Sequence, residues 1–102
     1  MLTREIAITQ AKAFVEACLQ QGILVDKAIL FGSVAKNQIR DYSDIDLALV
    51  SSQFSNNFIK NNKFTSKINI KFPLIEVHHF NNVYYQNGDP FIEEIKAMGI
   101  EI

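Results

Sequence analysis

Two short apolar runs constrain this chain more than any other feature. They are Ala28-Ile29-Leu30-Phe31 and the run inside Asp44 to Val50, joined by a polar stretch that opens on Gly32-Ser33. The first stops abruptly at a glycine, the pattern of a buried strand feeding a tight turn. The second reads as another strand. Because strand side chains alternate, Asp44, Asp46, Ala48 and Val50 share one face, and Ile45, Leu47 and Leu49 share the other.

The flanking segments read as further α/β elements. Thr3 to about Gln20 has Ala7, Ala11, Phe14 and Cys18 at helical spacing, with Gly22 placed to end a helix. Residues 51–69 are rich in Ser, Asn and Lys, with Phe54, Phe58, Ile59 and Phe64 among them, and read as a loop plus a short helix. Ile70 to Phe80 reads as a third strand carrying Glu76, with Pro73 pointing to an edge position or a bulge. Asn87-Gly88-Asp89-Pro90 is a turn into a helix that ends near Met98, with Asp89 as N-cap and Pro90 in the first turn. Gly99 closes that helix, and Ile100-Glu101-Ile102 reads as a terminal strand.

Composition narrows the function classes. A length of 102 residues suits one domain, taken as residues 1–102, and 48% hydrophobic with 21% charged residues is the balance of a folding globular chain. A net charge of −1 gives no broad basic field, so neither direct nucleic-acid binding nor a polybasic membrane contact is expected. An anionic ligand must then be held by a local site. The single cysteine, Cys18, excludes an intramolecular disulfide and fits a reducing compartment. With no apolar run near the roughly 20 residues that span a bilayer, and no basic flank leading an apolar core, the expected location is cytoplasmic.

The chemistry lies in Gly32 to Asp46. A glycine directly after a strand lets backbone approach a phosphate, and the following turn can present the Ser33 N–H and hydroxyl as donors, at a helix N-terminus if one begins there. Two aspartates at i and i+2 on one strand face are suited to hard cations, since carboxylates facing one pocket repel unless a cation joins them. Nucleotidyl transfer uses this combination to align a nucleophile with phosphorus and to neutralise charge on the attacking and leaving oxygens. Lys36 and Arg40, in the connecting segment, are candidates for the remaining phosphate charge. Ser43, directly before Asp44, joins the nucleotide-binding candidates.

The run Phe31-Gly32-Ser33, ten residues from Val34 to Ser43, then Asp44-Ile45-Asp46-Leu47 resembles the signature of the minimal nucleotidyltransferases of the polymerase-beta-like superfamily. The resemblance extends over nearly the whole chain. It implies a small mixed β-sheet flanked by helices, Mg²⁺ in a two-metal site when nucleotide is bound, and a nucleoside triphosphate, usually ATP. Many relatives carry Arg-Gly where this chain has Lys36-Asn37. The family's third carboxylate is commonly Asp, and Glu76 is the candidate here, as metal ligand or general base beside Asp44 and Asp46. Asp41 and Asp89 are weaker substitutes, read as a loop charge and a helix cap. His78 and His79 fall on opposite strand faces and cannot both enter one site; neither is counted in it.

Such minimal proteins have no room for an acceptor-binding domain. The resemblance implies a helical partner of the HEPN class, an RNase toxin, and an antitoxin that neutralises it by transferring AMP from Mg-ATP to a toxin tyrosine. Two alternatives remain open: a noncatalytic module that masks the toxin by complex formation, and adenylyl transfer to a small molecule or an RNA end. Phe54 to Phe64 and the pair Tyr84-Tyr85 are the candidate partner surface.

Overall fold

A computed structural model describes residues 2–40 and 44–102. Helix α1, Arg4–Gln20, begins where the Thr3 side chain accepts from Ile6 N–H, an N-cap satisfying a donor the helix leaves free. Strands β1, Lys27–Phe31, and β2, Ile45–Ser51, pair antiparallel with Phe31 opposite Asp46. Helix α2, Phe58–Asn69, then crosses over to β3, Ile75–Asn81, which runs parallel to β2 with Asp46 opposite Glu76 and Ala48 opposite His78. Helices α3, Asn82–Asn87, and α4, Pro90–Met98, lead to β4, Ile100–Glu101, paired with β1. The mixed sheet has the order β3-β2-β1-β4, and helices flank it, as expected from the sequence.

Strand alternation divides the interior into two layers. Leu30, Ile45, Leu47 and Leu49 pack with Ala7, Ala11, Phe14 and Cys18 of α1 and Ile68 of α2. On the opposite face Ile29, Ala48 and Val50 meet Tyr85 of α3 and Ile92 and Ile95 of α4. This second layer is the smaller, and Asp46 lies on its side of the sheet, one alternation before Ala48.

Several boundaries differ from the sequence reading. Only the C-terminal part of the Ile70–Phe80 run is strand. Ile70 is the C-cap of α2 and 79% exposed, and Pro73 lies in the turn before β3 rather than within it. The apolar letters before Ile75 suggested a strand, but the buried positions Asn61, Thr65 and Ile68 follow helical spacing. Asn69 Nδ2 then donates to the Ile75 carbonyl at 2.7 Å and holds the turn into β3. The edge position expected from Pro73 is nevertheless correct, since β3 ends the sheet order. Helix α3 was not anticipated; the Asn81 side chain starts it by accepting from Val83 and Tyr84 N–H. Strand β2 starts at Ile45, one residue after Asp44.

The aromatic residues proposed as a partner surface divide between interior and exterior. Phe54 and Tyr85 are buried, whereas Phe58, Ile59 and Tyr84 are exposed. Cys18 is fully buried, and burial pushes its thiol up to about 11, the state of an inert packed side chain.

Candidate functional site

The site begins at the end of β1. Gly32 has φ 68°, the left-handed region where a side chain is strained. A Cβ at this position would stand 2.3 Å from Asp46 Oδ2. The backbone therefore passes directly against the carboxylate, and a glycine is needed on both grounds.

Residues 32–37 continue as turns rather than as a helix, so Ser33 does not cap a helix N-terminus. Lys36 N–H donates to the Gly32 carbonyl at 3.0 Å and Gln38 N–H to Ser33 at 2.8 Å, folding the segment on itself. Val34 is fully buried and fastens the turn to the α1 layer. A clamp from α1 was missed by sequence reasoning. Arg4 donates through Nε to the Val34 carbonyl at 3.2 Å and through a terminal nitrogen to that of Ala35 at 2.8 Å. No local spacing links residues some thirty positions apart. Asn37 takes φ 56°, a conformation asparagine tolerates better than most residues, so Asn in place of the relatives' glycine still makes the turn.

The predicted phosphate ligands separate. Ser33 and Arg40 line one open cleft with Gln38 and Ile39. Lys36 turns toward α4, its Nζ 3.4 Å from Glu94 Oε1, and lines another cleft with Gly32, Phe31 and Phe91. Ser43 and Asp41 lie outside the described residues. Asp89 is the N-cap of α4, accepting from Ile92 N–H at 2.7 Å and from the Tyr84 hydroxyl, as its reading as a cap required.

The carboxylates converge across β2 and β3. Parallel register puts Glu76 beside Asp46. Desolvation raises the Asp46 carboxyl above its ordinary value; His78 opposes that shift, while the Glu76 and Asp44 charges add to it. Asp44 itself is exposed, just ahead of β2. Such a crowded set of acidic groups attracts a cation.

His78 belongs to this group, although the sequence reading left it out. Its Nε2 is 3.5 Å from Asp46 Oδ1 and 3.9 Å from Glu76 Oε1. One ligand atom from each of Asp46, Glu76 and His78 falls within 4.8 Å of the others. His78 Nε2 is buried and makes no hydrogen bond, and its ring stacks edgewise on Phe31 at 4.9 Å and Phe91 at 6.0 Å. An orphaned nitrogen between two carboxylates, with Gly32 backbone tight against one of them, fits a divalent cation. The signal was present in the alternation: Glu76 and His78 are two apart on one strand and so share a face. His79 points the other way, where its Nε2 and Thr65 Oγ1 are 2.8 Å apart and its ring meets Phe54. Burial, with a smaller contribution from His78, lowers its pKa to about 4.

Comparison with known proteins bears on the family and the fold. The family described as "Polymerase beta, Nucleotidyltransferase" matches residues 14–102, and the chain belongs to that family. A crystal structure from Sulfolobus solfataricus, of a protein described as a nucleotidyltransferase on inference, superposes with a TM-score of 0.69 at 17% identity, covering 96% of this chain and 80% of that one. A chain of a toxin–antitoxin solved with AMP-PNP superposes with a TM-score of 0.61 at 16% identity, covering 88% of this chain and 70% of that one. At these identities the two structures speak to the fold. No curated protein matches. Among the described residues no helix is long and apolar enough to cross a membrane.

Proposed function

We propose that residues 1–102 act as a single minimal nucleotidyltransferase domain, a cytoplasmic antitoxin that transfers AMP from Mg-ATP to a tyrosine of a HEPN-type RNase toxin. The observation that carries the nucleotidyltransferase chemistry is the Asp46–Glu76 register with Gly32 packed against Asp46. The toxin partner is supported by the likeness in fold to the toxin–antitoxin chain and by the exposed apolar side chains of Phe58 and Ile59.

In this reading Gly32, Ser33, Lys36, Arg40 and Ser43 hold the triphosphate, and Asp44, Asp46 and Glu76 hold the ions that accompany it. Mg²⁺, when bound, supplies charge neutralisation at the attacking and leaving oxygens. The acceptor hydroxyl attacks the α-phosphorus, the bond to the bridging oxygen breaks, and pyrophosphate leaves. In this reading Glu76, 59% exposed and beside the cleft along β3, takes the hydroxyl proton. The adenylyl group adds bulk and negative charge to the toxin, which would repel RNA phosphate.

The two departures from the family pattern do not favour a purely masking module. Asn37 adopts the left-handed turn, and Glu76 stands in register with Asp46. The test incubates the protein with Mg²⁺, α-phosphate-labelled ATP and host lysate, beside an Asp44→Asn/Asp46→Asn control. Label on a discrete protein with wild type alone, mapped to tyrosine, supports the proposal. An unlabelled lysate in which both forms capture the same helical protein would support masking instead. Label confined to a small molecule or an RNA end would move the acceptor to that class.

A further inference from the structure

We propose that His78 is a nitrogen ligand of the metal site and makes it favour a divalent first-row transition-metal ion, with Mn²⁺ as the probe, over Mg²⁺. This inference rests on the metal–nucleotide reading of the site.

Three observations converge. First, the spacing suits coordination. Ligands at about 2.1 Å from an octahedral ion lie about 3.0 Å apart when cis and about 4.2 Å when trans. Nε2 of His78 stands 3.5 Å from Asp46 Oδ1 and 3.9 Å from Glu76 Oε1, so each separation need close by less than about 1 Å to reach the cis distance. Second, Nε2 is buried without a hydrogen-bond partner, although buried polar atoms are almost always satisfied. A lone pair aimed at a cation accounts for that position. Third, the ring is held by packing rather than by chance rotation. Phe31 from the end of β1 and Phe91 from α4 both meet it edgewise, and Phe31 also meets Phe91 at 5.5 Å. These contacts limit the rotation of the ring.

Ligand chemistry then decides the ion. Mg²⁺ takes oxygen and keeps its waters, so it gains nothing from an imidazole. First-row transition-metal ions bind mixed nitrogen and oxygen sites with affinities that rise along the series from Mn²⁺, and imidazole suits them increasingly along it. Asp46 and Glu76 alone would serve either ion; the nitrogen adds a term for only one of them. The dependence on His78, rather than the bare affinity ratio, is therefore the diagnostic quantity.

The experiment titrates Mn²⁺ and, separately, Mg²⁺ into wild type and His78→Gln by calorimetry, in the presence of a nonhydrolysable ATP analogue. Pulsed electron paramagnetic resonance of the Mn²⁺ complex then looks for nitrogen modulation. The expected result is Mn²⁺ affinity falling about 10-fold or more in His78→Gln while Mg²⁺ affinity changes less than about 2-fold. Histidine-nitrogen modulation should be present in wild type and should change on ¹⁵N-histidine labelling, a readout that needs no variant to fold. Tight Mn²⁺ binding without histidine modulation, or equal affinities in both proteins, overturns the assignment and leaves the carboxylate site standing. Wild type binding neither ion overturns the metal–nucleotide reading, and the His78 assignment with it.

Discussion

The two faces of β3 carry adjacent histidines with opposite surroundings. His79 looks toward α2, where Thr65 partners its ring nitrogen and Phe54 covers it. His78 looks toward α4, and its buried Nε2 meets two carboxylates at 3.5 and 3.9 Å without a hydrogen bond of normal geometry. The first face is closed by α1 and α2 over a continuous layer of buried side chains. The second is closed by α3 and α4 only as far as Ile29, Ala48 and Val50, beyond which the strands present Asp46, Glu76 and His78. One sheet thus buries its larger apolar layer on one face and gathers titratable groups at the end of the other. Residue type alone does not distinguish the roles; the pleat does.

The largest expected effect is at Asp46. Asp46→Asn should lower nucleotidyl transfer about 100-fold or more, measured as label incorporated per minute. The same change should raise the melting temperature of the metal-free protein. With its carboxyl raised in the folded state, this group's stabilising contribution is present below the unfolded value and is lost as pH rises through the folded one. A lower melting temperature would mean that Asp46 is a structural residue like those of the opposite face.

Gly32→Ala comes next. The added methyl meets Asp46 Oδ2 in a left-handed backbone, so a loss of about 1–3 kcal/mol in denaturant titration is expected, together with weaker nucleotide binding. Wild-type behaviour on both counts would remove the close approach from the account.

The other face should respond to acid instead. Because the pKa of His79 is lowered to about 4, the unfolded chain binds the proton first as pH falls. Stability should decline from about pH 6.5 down through about pH 4, and His79→Gln should flatten that part of the melting curve. An unchanged slope would relocate the acid sensitivity. The smallest effect is expected at Lys36, whose ion pair with Glu94 is exposed. Lys36→Ala should cost under about 1 kcal/mol in stability, so any larger deficit in nucleotide affinity would report a phosphate contact.

Much of the architecture was legible because it follows from period and punctuation. The spacing of Ala7, Ala11, Phe14 and Cys18, the Asp89-Pro90 cap and the alternation from Asp46 to Val50 are local signals, and the structure reproduces them. The segment Ile70–Leu74 misled because its apolar letters were counted as strand, whereas Ile70 caps α2 and the following residues turn into β3. Of the candidate site, the Gly32 and Asp46 positions could be read from the signature, and Glu76 from its place in an apolar strand. The Arg4 clamp and the pairing of Asp46 with Glu76 and His78 depend on tertiary register, which no window of sequence contains. His78 was set aside because its neighbour faces the other way; judged alone, its two-residue offset from Glu76 put it on the carboxylate face.

The most direct measurement of the central claim is calorimetric binding of a nonhydrolysable ATP analogue, with and without a divalent cation, to wild type and Asp46→Asn. The account predicts binding by wild type that requires the cation and is lost in the variant. Equal binding by both proteins, or binding indifferent to the cation, would contradict a metal–nucleotide site at this end of the sheet.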